Sequence, residues 1–441
     1  MDLKSRVRNS TARRYILSLS VVSIYLIGSL SAGTPNLPIY EKWASEISQG
    51  FLFELYQVKD GLSLSESLGN LIVPYPPITL LAFWLFAQMA QALVLIHPIS
   101  YGFIVNVSAV AATFVTTFGL SKFGRAFGPR TYLYFLISPV VFLLSPILGY
   151  QDSLMVLFLL VGIYSLNQYR YLFAGIFFGL SLMTKQLSLM PIAGIALVLL
   201  LQKKWVPITR ILLSTVLVFV VVLSPFILSG NLFAYVESQA LASVHTMLAA
   251  QTANFPYLIT IVHRIIQDGF WQGMSTGGNG LRIFDDQLRQ ATYFGFALIA
   301  ISLFYSWVLY FKRKYGMSLF NYWHVATMMI FTYYLFCAGV HENHIYMALP
   351  ILLCLPATAA SKRVYVIFSA ALFLHLIISW GIGASFPTIT SFLSNSGTAN
   401  SVGTLTSFLL YFFSYIQLWR LPPSAVEITS ANNFDSRQGK Q

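Results

Sequence analysis

Apolar runs dominate this chain, and short polar stretches interrupt them at intervals close to the thickness of a bilayer. The runs lie near 15–32, 101–120, 131–148, 153–168, 172–184, 188–202, 211–229, 291–311, 319–338, 345–360, 364–380 and 403–419. Many approach or exceed the ~18–20 consecutive apolar residues that cross the hydrocarbon core as a helix. Irregular backbone cannot face lipid, so such runs predict helices. The pattern therefore predicts an all-α polytopic membrane protein with about 12 transmembrane helices. Composition agrees: 57% of residues are hydrophobic and only 9% charged, against about 25% charged in a soluble domain. The first run follows a basic stretch without a small-residue cleavage site, which reads as a retained span.

Charge sets the expected orientation. Lys4, Arg6, Arg8, Arg13 and Arg14 precede the first run, which places the N-terminus in the cytoplasm. Later basic connections are Lys122-Arg125-Arg130, Arg170, Lys203-Lys204-Arg210, Lys312-Arg313-Lys314, Lys362-Arg363 and Arg420. Pro77–Ile96 is apolar enough to span, but as a span it would flip every later basic loop outward. It is expected instead as an extracytoplasmic interfacial or re-entrant helix. This arrangement puts both termini inside and leaves six of the 26 Lys and Arg outside: Lys42, Lys59, Lys185, Arg264, Arg282 and Arg289. Most acids also fall outside, an independent observation because the orientation rule counts only Lys and Arg. The net charge of +12 is thus explained by the membrane, and no nucleic-acid partner is called for. Membrane lipids are the expected surroundings.

The expected organisation is a basic cytoplasmic N-terminus over 1–14, one transmembrane unit over 15–420, and a polar, disordered cytoplasmic tail over 421–441. Long outer loops fall at about 33–100 and 230–290. The first carries an amphipathic helix over Tyr40–Gln49; the second carries helices over Leu232–Leu248 and Pro256–Gln267, then a glycine run at Thr276–Gly280. That run lacks the Lys-Ser/Thr of a phosphate loop, so a lid is the better expectation. Arg282 and Arg289 flank Asp285-Asp286, a pattern suited to a solvated ion-pair network. Cys337 and Cys354 fall inside apolar runs and read as packing residues.

Two polar clusters break the apolar pattern at the expected outer face: Gly149-Tyr150-Gln151-Asp152 and His341-Glu342-Asn343-His344. Ionisable groups at membrane depth are costly, so such clusters mark candidate sites. His341 and His344 stand three apart, whereas the His-Glu-x-x-His zinc helix needs four; no metal site is assigned. The alternatives for the tetrad are a capped span end and a grip on phosphate, to which imidazole can donate. Asp152 at a helix start either serves the helix terminus or acts as a general base. Lys185 either pairs with an acid or neutralises a phosphate. Transporters place their charges near the midplane between repeated halves. Here the charges gather at outer span ends beside long loops, which suits chemistry on a substrate with its tail in the membrane.

Taken in order, Tyr40–Trp43, Tyr75-Pro76-Pro77-Ile78-Thr79, Gly149–Asp152, Thr184-Lys185-Gln186, Ala253-Asn254 and Val340-His341-Glu342 resemble the GT-C glycosyltransferases. These multi-spanning enzymes use polyprenyl-phosphate sugars. The similarity is greatest to bacterial members and to the eukaryotic dolichyl-phosphate-glucose glucosyltransferases. The resemblance implies a GT-C-like fold with extracytoplasmic interfacial helices, in the bacterial cytoplasmic (inner) membrane. It implies transfer of a hexose from a polyprenyl-phosphate sugar donor to a lipid-linked glycan or surface-glycan acceptor. The family's presumed base, an Asp seven residues before the loop Trp, corresponds to Asn36, which cannot be a base. Asp152, with Glu41 second, takes that role in this reading. Asn36, Tyr75, Gln151, Lys185, Gln186, His341, Glu342 and His344 are the expected substrate-binding residues. No cofactor is assigned, and the acids leave room for a divalent cation. A transporter or flippase of lipid-linked sugars is the alternative from another class. A surface-glycan polymerase or ligase ranks lower, because only Arg264, Arg282 and Arg289 are outer arginines. A cysteine-accessibility scan of Pro77–Ile96 and of the turn around Gly149 tests the orientation. Labelling from the outer side is expected; labelling of the turn from the cytoplasm would separate the two clusters.

Overall fold

A computed structural model describes residues 19–31, 33, 37–57, 73, 75–92, 101–242, 247–249, 252–276, 281–380 and 397–422. The expected N-terminal stretch 1–14, Asn36, most of the glycine run (277–280) and the tail beyond Pro422 lie outside the described residues.

Among the described residues the regular secondary structure is helical, apart from one isolated bridge between Met247 and Arg282. In chain order the helices are α1 (Leu19–Gly28), α2 (Leu37–Ser48), α3 (Pro77–Ala92), α4 (Tyr101–Phe123), α5 (Gly128–Ile147), α6 (Asp152–Asn167), α7 (Tyr171–Leu182) and α8 (Leu189–Leu201). They continue as α9 (Trp205–Leu228), α10 (Leu232–Ala242), α11 (Phe255–Asp268), α12 (Phe270–Thr276), α13 (Asp286–Tyr315), α14 (Tyr322–Phe336), α15 (Ala348–Leu352), α16 (Ala359–Trp380) and α17 (Gly397–Trp419). Among the described residues six helices, α4, α5, α9, α13, α16 and α17, are long and apolar enough to cross a bilayer. The chain is a multi-pass integral membrane protein. Among the described residues the expected count of about 12 is therefore not confirmed. Two expected spans appear as shorter apolar helices, α6 and α7, and the run over 345–360 is broken into a 3-10 turn, His344–Met347, and α15.

Local chemistry explains the boundaries. The carboxylate of Asp285 accepts from the Leu288 amide at 2.7 Å and starts α13, whose last turn carries Lys312, Arg313 and Lys314. Both ends therefore suit the helix dipole. Asn254 and Asn321 cap α11 and α14 in the same way. The expected helix over Leu232–Leu248 is described over Leu232–Ala242, and Met247 pairs with Arg282 in a bridge rather than lying in a helix. That pairing also reshapes the expected ion-pair network. Only Arg289 and Asp286 meet, at 2.6 Å, while Asp285 serves as the cap.

Two helices show how the membrane sorts the sequence. α14 is buried on all sides, from Tyr322 through Leu335 with few breaks, and forms the centre of the core. α9 is its opposite: Leu212, Leu213, Leu217, Val220 and Val221 are exposed, as a lipid-facing helix requires. α9 rests on α7 through Gly175 and Gly179, spaced as a small-xxx-small pair that lets backbones approach. The Thr215 hydroxyl donates to the Gly175 carbonyl at 2.9 Å.

The bundle has two chemically distinct ends. At one end Phe123 stacks between Tyr164 and Trp323, Lys204 reaches Tyr322, and the Arg125 amide donates to Leu353. This is the end of the basic connections. The other end holds α2, the starts of α3, α4 and α6, the turn after α7, the segment 337–343 and the end of α16.

Gly149 makes the turn into α6 at φ +71°, and a Cβ there would stand 2.2 Å from Asn106 Oδ1. Left-handed backbone costs a non-glycine residue about 1–2 kcal/mol, and the clash adds to it. Gly149→Ala is therefore expected to lower the melting temperature of the detergent-solubilised protein. An unchanged melting temperature would show that the turn tolerates a side chain.

Candidate active site

Asp152 is the first residue of α6 and its side chain is 0% exposed. A carboxylate so placed needs donors, and two distant parts of the chain bring them. Lys185, in the turn after α7, donates from Nζ to Oδ1 at 2.8 Å. Asn343 donates from Nδ2 to Oδ2 at 2.9 Å. The Lys185 side chain keeps 15% of its surface exposed, so the ammonium is the accessible member of the pair. The Tyr75 ring lies beneath it, 5.6 Å from Nζ to the ring centroid.

The residue before Asn343 makes a second, parallel junction. Glu342 is buried, and its Oε1 accepts from the Tyr150 hydroxyl at 3.0 Å and from the Trp380 indole N–H at 2.8 Å. Consecutive residues of one segment thus hold the start of α6 on one side and the end of α16 on the other. That segment is itself tied down from the loop before α11. The Gly339 amide donates to Leu248 O at 3.0 Å, Thr252 donates to the Val340 carbonyl, and Asn254 donates to Cys337 O at 3.3 Å.

An aromatic wall completes the site. The hydroxyls of Tyr40 and Tyr75 are 3.0 Å apart, and the Trp43 ring packs edge-on against Tyr75. The Tyr56 hydroxyl donates to Tyr75 O at 2.7 Å. Burial raises the phenol of Tyr75 above its ordinary value, with the Asp152 charge adding to it; burial and then Glu342 do the same to Tyr150. These phenols are neutral hydrogen-bonding groups at ordinary pH. His341 keeps partial surface exposure, yet packing around its ring, and then the Lys185 ammonium, push it down from 6.5 to about 4. Its ring faces that of His344 at 5.2 Å, and the His341 amide donates to His344 Nδ1 at 3.3 Å.

The expected residues therefore divide. Asp152, Lys185, Tyr75, His341 and Glu342 come together, with His344 against His341. Gln151 turns away and is held by α4: it donates to Val105 O at 3.0 Å and accepts from Ser108 at 3.0 Å. Gln186 points to Gln239 Oε1 at 2.8 Å, and Gln239 in turn donates to Val73 O. Glu41 lies against Gly102 at the start of α4, one residue from the Tyr40 that joins the wall. Sequence reasoning passed over Asn343, Tyr150 and Trp380. Asn343 stood inside the polar tetrad but carried no charge to single it out. Trp380 ends an apolar helix, and nothing local marks it.

A divalent cation fits this donor set poorly. Among the described residues no three His, Cys, Asp or Glu gather to hold an ion. Both oxygens of Asp152 already receive protein N–H groups, and such donors point where a cation would sit.

The chain is similar to ArnT from Cupriavidus metallidurans in the apo state. Identity is 12%, the match covers 93% of this chain and 78% of that chain, and the TM-score is 0.46. No family model matches the chain, and no curated protein matches it in sequence. The functional reading accordingly stands on the site residues.

The His341 geometry has a pH signature. A histidine whose folded value lies below its unfolded one takes up protons on unfolding, so stability falls as pH drops through that interval. Between pH 6.5 and about 4 the wild type is expected to lose melting temperature more steeply than His341→Gln. Parallel curves for the two proteins would show that His341 titrates normally.

Proposed function

We propose that the chain is an integral membrane hexosyltransferase that moves a sugar from a polyprenyl phosphate to a lipid-linked or surface-glycan acceptor on the extracytoplasmic side. One observation carries the reading: a buried carboxylate and a partly accessible ammonium, Asp152 and Lys185, meet at 2.8 Å beside His341 and an aromatic wall. The cluster lies at the end of the bundle opposite the basic connections. Cytoplasmic loops are the basic ones, so this end faces outward. A lipid donor would reach it with its chain among the helices and its phosphate at the ammonium.

The chemistry follows from what each group can hold. Donor phosphate draws the Lys185 ammonium toward its oxygens, and Asp152 Oδ1 is released from that contact. Asp152 then accepts the proton of the acceptor hydroxyl. The acceptor oxygen bonds to the anomeric carbon as the bond from that carbon to the phosphate oxygen breaks. The electron pair leaves with the polyprenyl phosphate, whose charge is met by Lys185 and by neutral His341 and His344 as donors, a preorganised electrostatic stabilisation. Asn343 keeps Oδ2 oriented throughout. Tyr40, Trp43 and Tyr75 offer the aromatic surface against which a sugar can pack. Glu41, on the same short helix as Tyr40, is the second candidate for the base.

Purified protein supplied with polyprenyl-phosphate hexoses and lipid-linked acceptors tests the proposal. Asp152→Asn and His341→Ala are expected to lose transfer, by about 100-fold or more for the base, while melting as cooperatively as the wild type. Full activity in both variants would remove these roles. Movement of lipid-linked sugar across vesicles without a new glycosidic bond would favour the flippase.

A further inference from the structure

A departing phosphate needs positive charge near it, and a protein can supply that charge as a divalent ion or as a fixed cationic side chain. The two solutions demand opposite surroundings. A divalent ion wants convergent oxygen lone pairs. An ammonium supplies three donors of its own and wants acceptors.

The surroundings of Asp152 suit only the second. Oδ1 faces the Lys185 ammonium at 2.8 Å, and Oδ2 faces an amide N–H of Asn343 at 2.9 Å. The other buried carboxylate among the described residues, Glu342, has Oε1 engaged by Tyr150 and Trp380. Glu41 lies against Gly102. The imidazole of His341 stays neutral beside the ammonium. The Tyr75 face beneath Lys185 is the kind of surface that favours a cation without ligating a metal.

We propose that Lys185 is the resident cation of this site. Its ammonium occupies the position against Asp152 that a divalent ion would take, and the site handles a lipid-phosphate donor without a divalent metal. Asn343 is the positioning residue: by donating to Oδ2 it fixes the carboxylate with Oδ1 toward Lys185. The proposal deepens the transferase reading and rests on it for the identity of the donor. The placement of the cation is read separately.

Mn2+ alone, titrated into the purified full chain and followed by electron paramagnetic resonance, reads that placement without any sugar transfer. Wild type and Lys185→Arg are expected to hold no site-bound Mn2+. Lys185→Met, which removes the charge and keeps the length, is expected to hold none either, because one carboxylate oxygen with no further acid or histidine ligand gathered beside it among the described residues is too sparse a set for the ion. Asp152-dependent Mn2+ binding by the wild type or by Lys185→Arg would overturn the proposal. Should Lys185→Met fail to fold, Lys185→Arg still decides, because Mn2+ bound at Asp152 beside a guanidinium would show that the cation position is not filled by the side chain. Once transfer is measurable, EDTA is expected to leave the wild-type rate unchanged; a loss of rate restored by Mn2+ overturns the metal-free reading. If no hexose moves at all, the transferase reading fails, and the cation assignment is still settled by the resonance signal.

Discussion

Burying a carboxylate in a membrane protein is tolerated only when its charge is answered, and the answer to Asp152 organises this end of the molecule. Removing one partner of a buried ion pair typically costs about 3–5 kcal/mol, because the other charge is left stranded. The Asp152 side chain has no exposed surface, so water cannot substitute for Lys185. The start of α6 and the turn after α7 are held together by that constraint. Thr184, next to Lys185, extends the tie to α3: the Thr79 hydroxyl donates to its carbonyl at 2.7 Å, and the Ile78 amide to Met183 O at 3.0 Å. The helix that Tyr75-Pro76-Pro77 opens is thereby fixed against the ion pair.

The segment 339–343 is the other half of the arrangement. It belongs to the C-terminal part of the chain, yet its two consecutive polar side chains reach Tyr150 and Asp152, 192 and 191 residues away. Glu342 Oε1 meets two neutral donors and Asp152 Oδ2 a neutral one, and among the described residues Lys185 is the cation hydrogen-bonded to Asp152. A site with one mobile cation and otherwise satisfied acids is suited to exchange a carboxylate for a phosphate as the partner of that cation.

The rest of the bundle follows from the solvent it sits in. Helices with lipid on one side, such as α9, keep their exposed Leu and Val, and their packing comes from close backbone approach at Gly175 and Gly179. α14, surrounded by protein, is apolar around its whole circumference, and its His324 is satisfied by the Leu418 carbonyl at 2.9 Å. Shorter helices such as α6 and α7 do not match the bilayer in length by themselves. Their ends are where backbone groups turn to side chains for partners, and the site is built at those ends.

By itself the sequence determined the solvent and the class of structure. Runs of apolar residues can satisfy their backbone only as helices, and the interruptions at Gly149–Asp152 and His341–His344 had to be sites of compensated charge. The start of α3 at Pro77 and the candidacy of Asp152, Lys185 and His341 were legible, because they depend on residue type and local spacing; the cap role of Asp285 was not, since its charge read as part of an ion-pair network. Tertiary structure alone decided which acid met which base. Asp152 could have served its own helix terminus, Lys185 any of several outer acids, and Glu342 a cation; the bundle pairs Asp152 with Lys185 and leaves Glu342 to Tyr150 and Trp380. It also brought in Asn343 and turned Gln151, Gln186 and Glu41 to other neighbours. Hydrogen bonds between groups nearly two hundred residues apart depend on how helix ends are stacked, and no local pattern of apolar and polar positions encodes that.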